Sequence, residues 1–130
     1  MTINILVVDE LSDIATEFLL DYTCRRELGI EAYFSLDFEK AKESMAQREY
    51  SAVLVEPKTK DPANVPDRAR EFIGYANEQG IPVMIFTDEG LWAMKRKYGM
   101  IWGKDYRSFV PKDSDLTREM RTELKRILER

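Results

Sequence analysis

Short apolar runs alternate along the chain with segments whose apolar residues recur every three or four positions, and this alternation predicts strands and helices by turns. The clearest run is Ala52-Val53-Leu54-Val55-Glu56-Pro57. Four apolar residues, two of them β-branched, suit a strand covered on both faces, and Pro57 stops it. Ile3, Ile5, Leu6, Val7 and Val8 make a first strand that ends on Asp9-Glu10. Ile30 to Ser35 reads as a second strand, more polar and so at an edge. Ile81 to Thr87 is a fourth, with Pro82 near its start where a missing donor is tolerated, and Arg107 to Val110 is a fifth.

Helical spacing fills the gaps. A first helix runs from Asp13 to Leu28, with Ile14, Phe18 and Tyr22 on one line, Ala15 and Leu19 beside it, and Gly29 as its stop. Asp37 is placed to cap a second helix that turns Phe38, Ala41 and Met45 inward. After a loop rich in Pro, Lys and Asp, Pro66 opens a third, carrying Ala69, Phe72, Ile73 and Ala76 and closing at Gly80. A shorter helix from about Glu89 to Tyr98 has Leu91, Trp92 and Met94 as its apolar residues and Gly99 after it. The last begins near Ser114 or Asp115 and is strongly periodic through Leu116, Met120, Leu124, Ile127 and Leu128. Five strands alternating with five helices predict an α/β fold: a doubly wound, five-stranded parallel sheet of order 2-1-3-4-5, flavodoxin-like, in a single domain spanning residues 1–130.

Composition narrows the chemistry. At 130 residues the chain has room for one core, and its 44% hydrophobic and 34% charged residues are ordinary for a soluble domain. No apolar run approaches the roughly 20 residues of a membrane span, and Met1 to Val8 has no basic segment of a signal peptide, so a cytoplasmic location is expected. The single Cys24 has no disulfide partner and reads as a small filler. With no histidine in the chain, His-based acid/base catalysis, Ser-His and Cys-His nucleophile pairs and the commonest transition-metal ligand are all excluded. A net charge of −4 gives no support to nucleic-acid binding. Glu10-Leu11-Ser12-Asp13 after the first strand is no Gly-rich phosphate loop, which argues against a nucleotide or flavin site.

In the predicted topology Asp9, Glu10, Glu56, Thr87, Asp88 and Lys112 converge on the C-terminal edge of the sheet, where open α/β sheets place their sites. Asp9, Glu10 and Glu56 against Lys112 leave a surplus of negative charge. A hard cation such as Mg²⁺ relieves it, or the carboxylates carry it as raised pKa values. The plainer alternative is a set of solvated loop carboxylates with Lys112 as neutralising partner.

These segments resemble the receiver domain of two-component response regulators, the CheY-like superfamily. The resemblance rests on Ile5-Leu6-Val7-Val8-Asp9-Glu10, on Ala52-Val53-Leu54-Val55-Glu56, on Ile81-Pro82-Val83-Met84-Ile85-Phe86-Thr87 and on Phe109-Val110-Pro111-Lys112, in order and at the family's spacing over nearly the whole chain. It implies that Asp9 and Glu10, with Glu56, stand where Mg²⁺ is held, that Glu56 takes the phospho-acceptor position, that Thr87 and Lys112 correspond to the phosphate contacts, and that Phe109 is the aromatic that moves with the hydroxyl.

Departures from that pattern point away from phosphoryl transfer. Glutamate replaces the acceptor aspartate, and its extra methylene moves the carboxylate out by roughly 1.5 Å, more than in-line transfer tolerates. Asp88 puts a like charge beside any incoming donor. Pro57-Lys58-Thr59-Lys60-Asp61-Pro62 replaces the family's usual turn, and Asp113 follows Lys112 where a proline is common.

The first expectation is therefore a pseudo-receiver, not an enzyme. It acts by phosphorylation-independent protein–protein contact, with Glu56 as a fixed charge and a histidine kinase, output domain or other signalling protein as partner. Trp92, Tyr98, Met100, Ile101 and Trp102 crowd one apolar section, with Trp92, Tyr98 and Trp102 as candidate aromatic anchors marking an interface or a homodimer through the face of the fourth helix, fifth strand and fifth helix. Core packing is the alternative reading of those residues. A second expectation is an Mg²⁺-dependent receiver in a phosphorelay, phosphorylated on Asp61 or another loop carboxylate. A third is a small flavodoxin-like binding protein or enzyme.

Overall fold

The computed structural model describes residues 3–11, 14–59, 66–112 and 116–129. In chain order these form β1 (Ile3–Val8), α1 (Ile14–Tyr22) continuing into a π-helical segment (Thr23–Leu28), β2 (Ile30–Ser35), α2 (Phe38–Gln47), β3 (Ala52–Val55), α3 (Pro66–Glu78), β4 (Val83–Thr87), α4 (Leu91–Arg96), β5 (Ser108–Pro111) and α5 (Leu116–Leu128). All strand pairings are parallel and the order is β2-β1-β3-β4-β5, as the strand–helix alternation predicts. Asp61 and the predicted helix starts at Asp13 and at Ser114 or Asp115 lie outside the described residues.

All four residues of β3 are buried, because the sheet is covered on both faces and their alternate side chains feed two separate cores. On one face Leu6, Val8, Val53, Val55 and Ile85 pack against α2, α3 and α4 through Phe38, Phe72, Ile73 and Met94. On the other, Ile5, Val7, Leu54, Met84 and Phe86 meet Leu20 and Cys24 from the first helix and Met120, Leu124 and Ile127 from α5. The register sets Val8 beside Val55 and Val55 beside Ile85, so β1, β3 and β4 finish at nearly the same level. No described helix is long and apolar enough to cross a membrane.

Local signals hold in most elements. The Asp37 carboxylate accepts from the Lys40 amide at 2.7 Å and caps α2, Pro66 opens α3, and Gly29, Gly80 and Gly99 take positive φ after their helices. β4 begins at Val83 rather than Ile81, although the Pro82 carbonyl still accepts from the Val53 amide at 3.0 Å.

The first helix differs from its sequence pattern. Ile14, Phe18 and Tyr22 are 85%, 69% and 51% exposed, and the buried residues are Leu20, Thr23 and Cys24. A second four-residue spacing, Leu20-Cys24-Leu28, forms the inward stripe against β1, β2 and α5. The helix buries that line because only one of the two can face the sheet.

Candidate functional site

The ends of β1, β3 and β4 deliver Asp9, Glu56 and Thr87 to one edge of the sheet, and all three side chains are buried. Lys112, the residue after β5, is placed by its own amide donating to the Thr87 carbonyl at 2.8 Å. From there its ammonium donates to Asp9 Oδ2 at 2.8 Å and to Glu56 Oε1 at 3.0 Å, with the Phe86 ring centroid 4.7 Å away. The same ammonium therefore bridges the two carboxylates.

The other oxygens are engaged as well. Asp9 Oδ1 accepts from the Leu11 amide at 2.8 Å, a local turn that fixes its rotamer. Glu56 Oε2 accepts from the Lys58 amide at 3.3 Å, and the Thr87 hydroxyl is near enough to the same carboxylate to draw its pKa down. Thr87 Oγ1 in turn accepts from the Glu89 amide at 3.2 Å. Glu89 is held by the Tyr98 hydroxyl and by Lys97 Nζ at 2.9 Å.

Burial pushes the Glu56 carboxyl above its ordinary range, outweighing Lys112, Thr87 and the Lys58 amide, which pull it down. Burial alone would lower the Lys112 ammonium, but Glu56 and Asp9 more than reverse this and raise it. Both groups thus hold their protons more firmly than in water. At the mouth of the site, Lys58 Nζ reaches Asp88 Oδ1 at 2.7 Å, and this hydrogen bond draws Asp88 below the usual carboxylate range.

Glu10 points elsewhere. Its carboxylate pairs with Arg68 from the first turn of α3, Nη2 to Oε2 at 2.7 Å and Nη1 to Oε1 at 3.3 Å, and the guanidinium lies 5.7 Å from the Phe38 ring centroid. The edge therefore brings together Asp9, Glu56, Thr87 and Lys112 and leaves Glu10 in a separate ion pair. No three acidic side chains among the described residues are arranged to hold a metal ion. As arranged, this donor set does not fit Mg²⁺: protein cations occupy the carboxylate oxygens that a hard divalent ion would need.

Four contributors escape sequence reasoning: Lys58, Arg68, Glu89 and Tyr98. Arg68 carried a faint signal, a cation two positions after the helix-opening Pro66. Among the candidate interface residues, Trp92 and Trp102 are 67% and 51% exposed, whereas Tyr98 is fully buried with its hydroxyl on Glu89. Tyr98 is thus a core residue and takes no part in a surface, and Met100 is likewise buried. Phe109 is half-buried and packs against the core on the α2–α4 side. A cleft of about 510 Å³ lies at the opposite edge of the sheet, between Met45–Ser51 and Gln79–Ile81, away from the carboxylates.

Strand order and helix placement define a CheY-like, doubly wound α/β fold. Solved structures carry the likeness. The receiver domain of a sensor histidine kinase from Pseudomonas aeruginosa, with magnesium coordinated in its active-site cleft, matches with a TM-score of 0.75 and 18% identity over all of both chains. The signal receiver domain of an HD-domain-containing protein from Pseudomonas fluorescens gives 0.74 and 18%, over 98% of this chain and 88% of that one. The chemotaxis response regulator CheY4 of Vibrio cholerae gives 0.74 and 16%, over 98% and 100%. No family model and no curated protein matches the sequence.

Proposed function

We propose that this chain is a single receiver-like signalling module that works in the cytoplasm by phosphorylation-independent contact with another protein, Glu56 serving as a fixed charge. The supporting observation is the Lys112 ammonium bound to both Asp9 and Glu56. In the resemblance, lysine and hydroxyl contact a phosphoryl group on the neighbouring strand. Here Glu56 itself binds Lys112, with the Thr87 hydroxyl beside it, so one fixed carboxylate stands in for contacts that a phosphoryl group would otherwise make. The Lys58–Asp88 pair across the mouth adds an obstacle to a phosphodonor.

In this reading the partner is a protein, such as a histidine kinase, an output domain or a second copy, and the exposed Trp92 and Trp102 are its candidate anchors on the side of α4 and β5. A second reading, an Mg²⁺-dependent phospho-acceptor, draws on the likeness to the magnesium-bearing receiver of Pseudomonas aeruginosa. Incubation with acetyl phosphate and Mg²⁺ followed by intact-mass measurement separates the two. The expected spectrum shows unmodified protein alone, whereas a phosphoryl adduct establishes the second reading. Glu56→Gln is expected to change the pattern of captured partners or self-association, and an unchanged pattern removes the fixed-charge role.

A further inference from the structure

The acidic pocket contains a second cation that comes from none of the strand ends. Arg68 stands in the first turn of α3, and its guanidinium grips both oxygens of the buried Glu10 side by side, at 2.7 and 3.3 Å. Such a paired arrangement matches guanidinium geometry to a carboxylate and takes up the in-plane lone pairs that a metal would need. Glu10 is buried and Arg68 only partly so; loss of the guanidinium leaves a buried charge uncompensated, so the grip persists unless Glu10 receives another cation in exchange. Lys112 meanwhile holds Asp9 and Glu56. The two protein cations share the charge of the three carboxylates: Asp9 and Glu56 converge on Lys112, while Glu10 turns to Arg68.

We propose that Arg68 is a resident counter-ion, occupying beside Glu10 the place of a divalent cation and so making the pocket metal-independent. The inference starts from the misfit between this donor set and a divalent site. It does not rest on the proposed phosphorylation-independent function, since a pocket without metal follows from Arg68 whatever the module binds. Its consequence is that a neutral side chain at position 68 releases Glu10 and uncovers a cation site beside Asp9.

Mn²⁺ binding, followed by the electron paramagnetic resonance signal of the free ion, tests this directly. The titration compares wild type, Arg68→Met, Arg68→Gln, Arg68→Lys and the double variant Arg68→Met/Glu10→Gln, with thermal melts reporting which are folded. Wild type and Arg68→Lys are expected to show no saturable binding below roughly 10 mM. Whichever neutral variant is folded is expected to bind at least about tenfold more tightly, and Glu10→Gln is expected to abolish that gain. Equal binding by wild type and a folded neutral variant overturns the proposal, whether both bind or neither does. So does a gain that survives Glu10→Gln. The acetyl phosphate result bears on the function alone and leaves this one independent.

Discussion

Glu56 carries its negative charge against a penalty. One ammonium serves two buried carboxylates, and the Coulomb attraction it offers Glu56 is smaller than the hydration that the side chain gives up on burial. The folded protein therefore holds the Glu56 proton more tightly than the unfolded chain does. Stability from this group is fully present below the ordinary glutamate range, near pH 4, and is lost as pH rises through the raised folded value. Glu56→Gln keeps one acceptor oxygen, for Lys112 or for the Lys58 amide, and has no proton to lose. Urea melts of both proteins from about pH 4 to 8 should show the variant gaining stability relative to wild type as pH rises. A wild type that gains on the variant instead would mean that Lys112 outweighs burial.

Among the helices, α1 shows most plainly what periodicity leaves open. Two lines spaced by four residues, 14-18-22 and 20-24-28, run along the same helical segment, and the sequence offers the first as the more obviously apolar. The sheet buries the second. Leu20→Ala should then cost roughly 2–5 kcal/mol in denaturant melts, as a buried large-to-small change does, while Phe18→Ser should stay within about 0.5 kcal/mol. The opposite ranking would place the helix about half a turn away from its observed orientation.

The strands were more legible than this helix, because Ala52–Val55 and Val83–Thr87 are buried on both faces and need only be apolar to be read correctly. Four members of the candidate site were legible for a related reason: Asp9, Glu56 and Thr87 end or directly follow their strands and Lys112 follows β5, so topology alone brings them to one edge. Arg68 and Lys58 were not. They reach the site from a helix and a loop on long side chains whose direction no period specifies. Tyr98 was misplaced because an aromatic residue beside Trp and Met reads equally as surface or core until its hydroxyl finds Glu89.

At the scale of the whole molecule, β1, β3 and β4 lie inside the sheet, paired on both sides, while β2 and β5 are its edges. Hydrogen exchange should therefore be slowest at amides such as those of Leu6, Leu54 and Ile85, and faster along α1, whose Ile14, Phe18 and Tyr22 are exposed. Uniform protection across α1 and the central strands would indicate a single cooperative unit instead.

The bridge at the strand ends also has a place in time. Lys112 lies 103 residues beyond Asp9 and 56 beyond Glu56. A chain emerging from the ribosome can thus pair β1 with β3, and then β4, while both acids at their tips still lack the ammonium that will join them. Until the last strand adds to the sheet, neither carboxylate has that ammonium to offset its burial. The bridge that fixes Glu56 in the finished protein thus also marks completion of the sheet.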